Sequence, residues 1–127
     1  MARLRVMPWL ALCLAVAIGL SASGCGGNPQ HVKVAQAKKQ IGEFMTGMES
    51  YKMRFKKYPP QEEGLDGLIH NVAELNLIHR ESIPPDPWGN AYQYTLVDRQ
   101  TYRILSYGAD GAPGGEGLNS DLSSDAL

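Results

Sequence analysis

Apolar residues along the chain fall into separate patterns. Val34, Ala37, Ile41, Phe44, Met48, Tyr51 and Phe55 recur in alternating steps of three and four, which puts them on one face of a long helix, and Met45 widens that stripe. Gly42 and Gly47 each cost about 1 kcal/mol against alanine in a helix, so this one must depend on packing more than on propensity. Pro59-Pro60 stop it, because proline disfavours helical geometry in the residue before it, and the end is expected near Lys57. Leu65, Leu68, Ile69, Val72 and Leu75 share one face of a shorter helix, predicted from about Glu63 to Leu77. Its acids Glu62, Glu63 and Asp66 lie toward the N-terminal end, where they complement the helix dipole. Ile83-Pro84-Pro85-Asp86-Pro87 then excludes regular structure and forms a rigid connector.

Beyond the connector the period changes to two. Ala91–Leu96 and Thr101–Tyr107 are rich in aromatic and branched residues, and Val97-Asp98-Arg99-Gln100 separates them by the length of a turn, so the pair predicts an antiparallel hairpin. Alternation places Tyr92, Tyr94 and Leu96 on one face, with Gln93 and Thr95 on the other. An isolated hairpin is marginal in water, so its apolar face is expected against the long helix. The fold class predicted is α+β, with no internal repeat.

The N-terminal part stands outside this domain. Arg3 and Arg5 precede an apolar run from Trp9 to Leu20, then the small residues Ser21 to Gly24, then Cys25, which is the order of a secretory signal. The run is shorter than the roughly 20 apolar residues that a bilayer-spanning helix requires. Ala22-Ser23-Gly24-Cys25 also resembles the lipobox of bacterial lipoproteins, although alanine stands where leucine is usual. That resemblance implies cleavage before Cys25 and its acylation; an ordinary secreted protein with an unmodified cysteine is the alternative. Cys13 leaves with the signal, so the mature chain has no partner for an internal disulfide. The expected division is a signal peptide over 1–24, a flexible tether over 25–32 and a globular domain over 33–127.

Charge divides the mature chain. Lys33, Lys38, Lys39, Lys52, Arg54, Lys56 and Lys57 face only Glu43 and Glu49, whereas beyond Tyr58 acids outnumber Arg80, Arg99 and Arg103. A basic end suits anionic headgroups or head-to-tail contact between copies, and a solvated helix face explains it more simply. A net charge of −1 argues against nucleic acid as a partner. Enzyme chemistry has no foothold: His31, His70 and His79 belong to no metalloprotease motif, no serine sits in a nucleophile elbow, and no phosphate-binding loop is present. No small-molecule substrate is therefore expected.

Several short motifs occur in a telling order. They are Tyr51-Lys52; Lys57-Tyr58-Pro59; Glu63-Gly64-Leu65 with Leu68; Pro85-Asp86-Pro87-Trp88-Gly89-Asn90 with Tyr92 and Tyr94; and Ser106-Tyr107-Gly108-Ala109-Asp110-Gly111. In this order they resemble the major pseudopilins of bacterial type II secretion, over about Val34 to Leu122. The resemblance implies a pilin-like head: a long N-terminal helix, a short second helix, a small antiparallel sheet and a C-terminal glycine-rich calcium loop. The family's cleaved basic leader, phenylalanine and long apolar shaft helix have no counterpart here, since the tether and Cys25 stand in their place. Polymerisation of the family's kind is therefore not expected.

The segment from Ser106 to Asp121 reads by composition as a tail, because glycine is costly to order and nothing in it can be buried. Asp110, Glu116, Asn119 and Asp121 nevertheless place hard oxygen donors through it. In the family the equivalent segment wraps calcium with two aspartates and main-chain carbonyls. Carried over, Asp110 and Asp121 match the carboxylates, Tyr107 a main-chain donor, and Ser123 and Asn119 complete the shell. The family's usual closing tryptophan is replaced by Ser123-Ser124-Asp125-Ala126-Leu127, which predicts a looser loop. The expected function is a structural component near type II secretion, exported, lipid-anchored through Cys25 to the cell or outer membrane, and in contact with other pseudopilins or secretion proteins. The alternative is a calcium-stabilised binding module unrelated to secretion.

Overall fold

The computed structural model describes residues 28–70, 78 and 80–127. The signal peptide, Cys25 and the first residues of the tether lie outside them, as do Val72 and Leu75 of the predicted second helix and His79. Helix α1 runs Pro29–Phe55, 27 residues. Asn28 caps it by accepting the Gln30 N–H at 3.1 Å, and Pro29 occupies the first turn, where a missing N–H costs nothing. Residues 29–32 of the expected tether are therefore helical. The other end stops at Phe55, slightly before Lys57, because Lys56 turns left-handed (φ 60°) and donates its N–H to Lys52 O at 2.8 Å. Among the described residues no helix is long and apolar enough to cross a membrane.

The predicted stripe is the buried face of α1: Ala37, Ile41, Phe44, Met48 and Tyr51 are buried, while Phe55 stays 39% exposed. Two residues outside the stripe join it. Gln40 is buried because its Oε1 accepts the Tyr92 hydroxyl at 2.6 Å. Gly47 is buried because a β-carbon there would stand 3.1 Å from Ile78 and 3.2 Å from Leu68. Its cost in helix propensity thus allows close approach of the next element.

That element differs from its prediction. A 3₁₀ turn, Gly64–Asp66, leads into a short helix α2, Gly67–His70. Gly64 has φ 55°, which bars a helix from starting at Glu63. Leu65 and Leu68 reach the core as expected.

The hairpin consists of β1 (Gln93–Asp98) and β2 (Thr101–Ser106), antiparallel, with Gln93 opposite Leu105 and Tyr94 opposite Ile104. The connection is tighter than predicted, since Asp98 already pairs with Thr101 after an irregularity between Leu96 and Asp98. Asp98 Oδ1 accepts the Gln100 N–H at 2.6 Å and holds the turn. A third strand, β3 (Leu122–Ser123), was not predicted; it pairs antiparallel with β2 and makes the sheet order β1-β2-β3. Two residues carry too little period to be read as a strand, and only the free edge of β2 selects them.

Tyr92 and Tyr94 point to the core, as alternation requires, and Gln93 and Thr95 are exposed. Phe44 meets Tyr92 edge-on with centroids 5.1 Å apart, and Tyr58 meets Tyr102 likewise at 4.6 Å. The hydroxyls are also placed: Tyr94 donates to Pro59 O at 2.7 Å, and Tyr58 to Glu49 Oε1 at 2.7 Å, with Lys52 4.6 Å above its ring. Gln61 covers the outer edge of β1, its Nε2 donating to Tyr94 O and its Oε1 accepting the Leu96 N–H, both at 2.8 Å.

Burial, reinforced at Tyr58 by Glu49 and at Tyr102 by the neighbouring Tyr58, pushes both phenols up to about 12. Tyr92 and Tyr94 are pushed up as well, mainly by burial. An unfolded tyrosine ionises near pH 10. Above that the unfolded chain has lost protons that the native chain keeps, so stability falls as pH rises. Urea unfolding should give a midpoint that is flat with respect to tyrosine ionisation below about pH 10 and declines steeply toward pH 12. Tyrosinate absorbance should rise together with loss of structure.

Candidate metal centre

The glycine-rich segment begins at a buried polar junction. Asp86 is 3% exposed in the proline connector, and its Oδ1 accepts the N–H groups of Trp88 at 3.0 Å and Asn90 at 2.8 Å. Its Oδ2 accepts the hydroxyl of Ser106, the last residue of β2, at 2.6 Å. Ser106 Oγ in turn accepts the Gly108 N–H at 3.3 Å, and Asn90 Nδ2 donates to Gly108 O at 3.1 Å. Asn90 O accepts the Asp86 N–H at 2.8 Å and closes the turn. No period or spacing assigns a role to Asp86, Asn90 or Ser106; the signal was Asp followed by Pro, Gly and Asn, the composition of a turn held by its own side chain.

From this junction the chain folds back on itself. Ala109 N–H reaches Leu118 O at 3.1 Å, and the last part turns through a 3₁₀ segment, Gly117–Asn119, before β3. Gly108 has φ 69°, and a β-carbon on it would stand 2.9 Å from both Leu118 O and Ser120 O. At Gly115 (φ 85°) a β-carbon would collide with Asn119 O. Only glycine permits these approaches.

The predicted ligands stand as follows. Asp110 is exposed, and its Oδ1 accepts the Ala112 N–H at 3.2 Å. Asp121 is half-buried; its Oδ2 accepts the Gly114 N–H at 3.0 Å, whereas its Oδ1 is buried and meets no hydrogen-bond donor among the described residues. Tyr107 is half-buried at the start of the loop, and Asn119 is exposed with its carbonyl against Gly115. Ser123 lies in β3 opposite Leu105, and its hydroxyl caps the final 3₁₀ turn by accepting the Asp125 N–H at 3.1 Å. Cys25 lies outside the described residues.

A hard cation suits this donor chemistry. A buried carboxylate oxygen without a donor is costly unless something positive meets it. Calcium accepts carboxylates and main-chain carbonyls at flexible geometry. Among the described residues no three His, Cys, Asp or Glu side chains group closely enough to hold a metal, so a cation here would depend on two aspartates and main-chain oxygens.

The segment is also secured where it leaves. Ser124 is buried, its Oγ accepting the Ile104 N–H at 3.0 Å, and Asp125 pairs with Arg103 Nε at 2.5 Å. Strand β3 and these contacts involve Ser123, Ser124 and Asp125, part of the segment that stands where the family's closing tryptophan is usual.

A long helix laid on a small antiparallel sheet, with a glycine-rich C-terminal loop tied to both the connector and the sheet, defines a pilin-like head. The same class emerges from comparison with the crystal structure of the major pseudopilin from the type 2 secretion system of enterohaemorrhagic Escherichia coli. It superposes with a TM-score of 0.62 at 24% identity, covering 80% of this chain and 93% of that one. Residues 25–125 match the family model described as type II secretion system (T2SS), protein G. The type II secretion system core protein G of Vibrio cholerae is 33% identical over 105 residues, spanning 76% of this chain and 70% of the relative. That of Pseudomonas aeruginosa is 31% identical over 103 residues, spanning 75% and 72%. The chain belongs to the type II secretion system protein G family, and it is a pseudopilin-like component of type II secretion.

Alanine at Gly108 would combine left-handed strain with contact against backbone that cannot move aside. Gly108→Ala should cost more than about 2 kcal/mol in urea unfolding. Gly42→Ala is the control of opposite sign, since a methyl there meets nothing within 4 Å and should gain up to about 1 kcal/mol.

Proposed function

We propose that this chain serves type II secretion as an exported structural component, held at the cell or outer membrane by an acylated Cys25 and stabilised by calcium in its C-terminal loop. The observation that carries the calcium part is the buried Asp121 Oδ1, left without a donor among the described residues, in a loop whose glycines admit the carbonyls of Leu118, Asn119 and Ser120 at close range. Asp110 and Asp121 would hold the ion, aided by main-chain oxygens of the Tyr107–Asp121 segment. Bound calcium would supply the positive charge that offsets two carboxylates. The residues themselves close the loop and fasten it: Ala109 ties to Leu118 and Gly114 to Asp121 within it, and β3 ties it to β2.

Support for the anchor comes from the lipobox-like Ala22-Ser23-Gly24-Cys25 and from a helix that begins at Pro29, immediately after Gly26-Gly27-Asn28. Such an arrangement sets the basic α1 close to the membrane surface, where its lysines favour anionic headgroups. The role is non-enzymatic, and its partners are other pseudopilins or secretion-system proteins.

Replacing Cys25 with serine should leave the protein unacylated and move it from membrane to soluble fractions; continued membrane retention refutes the anchor. Calcium at about a hundredfold excess over its Kd should add about 2.7 kcal/mol of stability. That gain, seen as a higher melting temperature, should disappear in Asp110→Ala combined with Asp121→Ala. A double variant that still responds would place the ion elsewhere.

A further inference from the structure

We propose that the Pro85–Asn90 turn sets the calcium affinity of the loop, with Asn90 as the positioning residue; this rests on the calcium-binding reading above. Asn90 reaches across the chain to both sides of Asp110. Its Nδ2 donates to Gly108 O at 3.1 Å, and its side-chain amide lies 3.0 to 3.1 Å from where a β-carbon on Gly111 would stand. Asp110 sits between those two glycines, so one side chain bonds the backbone before the first carboxylate and lies beside the backbone after it.

Asn90 is itself immobilised. Its N–H is bound by Asp86 Oδ1 and its carbonyl by the Asp86 N–H, both at 2.8 Å, inside a connector stiffened by three prolines. Gly108 is held twice, its N–H by Ser106 and its carbonyl by Asn90. That carbonyl is turned toward Asn90, which fixes the direction in which the chain continues to Asp110. The two carboxylates thus have separate supports: Asp110 from the connector, and Asp121 from β3 beside it in sequence. Ordering a glycine-rich loop is expensive in entropy. A support that orders its first half before the ion arrives lowers that cost and raises affinity.

The test is calcium titration by calorimetry on the full purified protein, well below the melting temperature, beside melting curves taken in chelator. Asn90→Ala removes the bond to Gly108 and the contact with Gly111 while leaving the main-chain bonds to Asp86. Affinity should fall about tenfold, with a smaller calcium-induced rise in melting temperature. Asn90→Leu, which is close in size and uncharged but cannot donate to Gly108 O, should fall similarly. Unchanged affinity, with melting lowered equally in calcium and in chelator, would mean that Asn90 only braces the fold, and would overturn the proposal. Should neither variant fold, Ser106→Ala releases the Gly108 N–H together with the Asp86 Oδ2 bond and must also weaken binding; unchanged affinity there overturns it as well. A wild-type protein that takes no calcium overturns this proposal and the reading beneath it together, whereas wild-type binding with unaltered variants overturns this one alone.

Discussion

The buried carboxylate of Asp86 is the constraint on which the rest of the loop architecture depends. Excluded from water, it would be costly without partners. It has three: two N–H groups within its own turn and the Ser106 hydroxyl at the end of β2. These donors come from segments far apart in sequence, so meeting the demand of one carboxylate fixes the connector against the sheet. The direction in which the chain leaves β2 follows, because Ser106 and Asn90 together hold Gly108.

Around that junction the tyrosines connect the layers. Each rigid ring bridges two segments of the chain, and each hydroxyl must find a partner in the interior. Tyr92 finds Gln40 on α1, Tyr94 finds the carbonyl of Pro59, and Tyr58 finds Glu49. These polar ends act as locators: an apolar core of the same size would tolerate sliding of the helix over the sheet, whereas paired hydroxyls do not. The segment Tyr58–Gln61 thereby becomes a seam, because Gln61 also satisfies the exposed edge of β1. At the far end of the chain, β3 and the buried Ser124 fasten the loop by main-chain and hydroxyl bonds instead of by an aromatic side chain.

The helix stripe from Ala37 to Tyr51 and the alternation of Tyr92, Tyr94 and Leu96 were legible because burial on one face imposes a period, and period is a property of sequence. Gln40 and Gly47 were not: a glutamine reads as solvent-facing until a tyrosine hydroxyl is placed opposite it, and a glycine reads as a weakness until a neighbour needs its space. The second helix was over-extended at its start because the stripe of leucines gave no sign that Gly64 adopts a left-handed backbone. Strand β3 escaped for a related reason, since two residues become a strand only when an edge is already waiting. In the candidate metal centre, Asp110 and Asp121 came from the ordered motifs of the family, whereas the buried oxygen of Asp121 and the doubly held Gly108 belong to the structure.

Sequence by itself therefore determined the α+β class, the buried faces of the long helix and the hairpin, and the order of motifs that marks the family. Each of these depends on local period or on residues near one another in the chain. Tertiary structure decided which polar groups are buried, where the short elements start and stop, and how a glycine-rich segment is secured at both ends. Those outcomes depend on partners tens of residues away: Gln40 with Tyr92, Asp86 with Ser106, Asn90 with Gly108. A hydrogen bond satisfied across such a distance leaves no period in the sequence, and only the folded chain brings its donor and acceptor together.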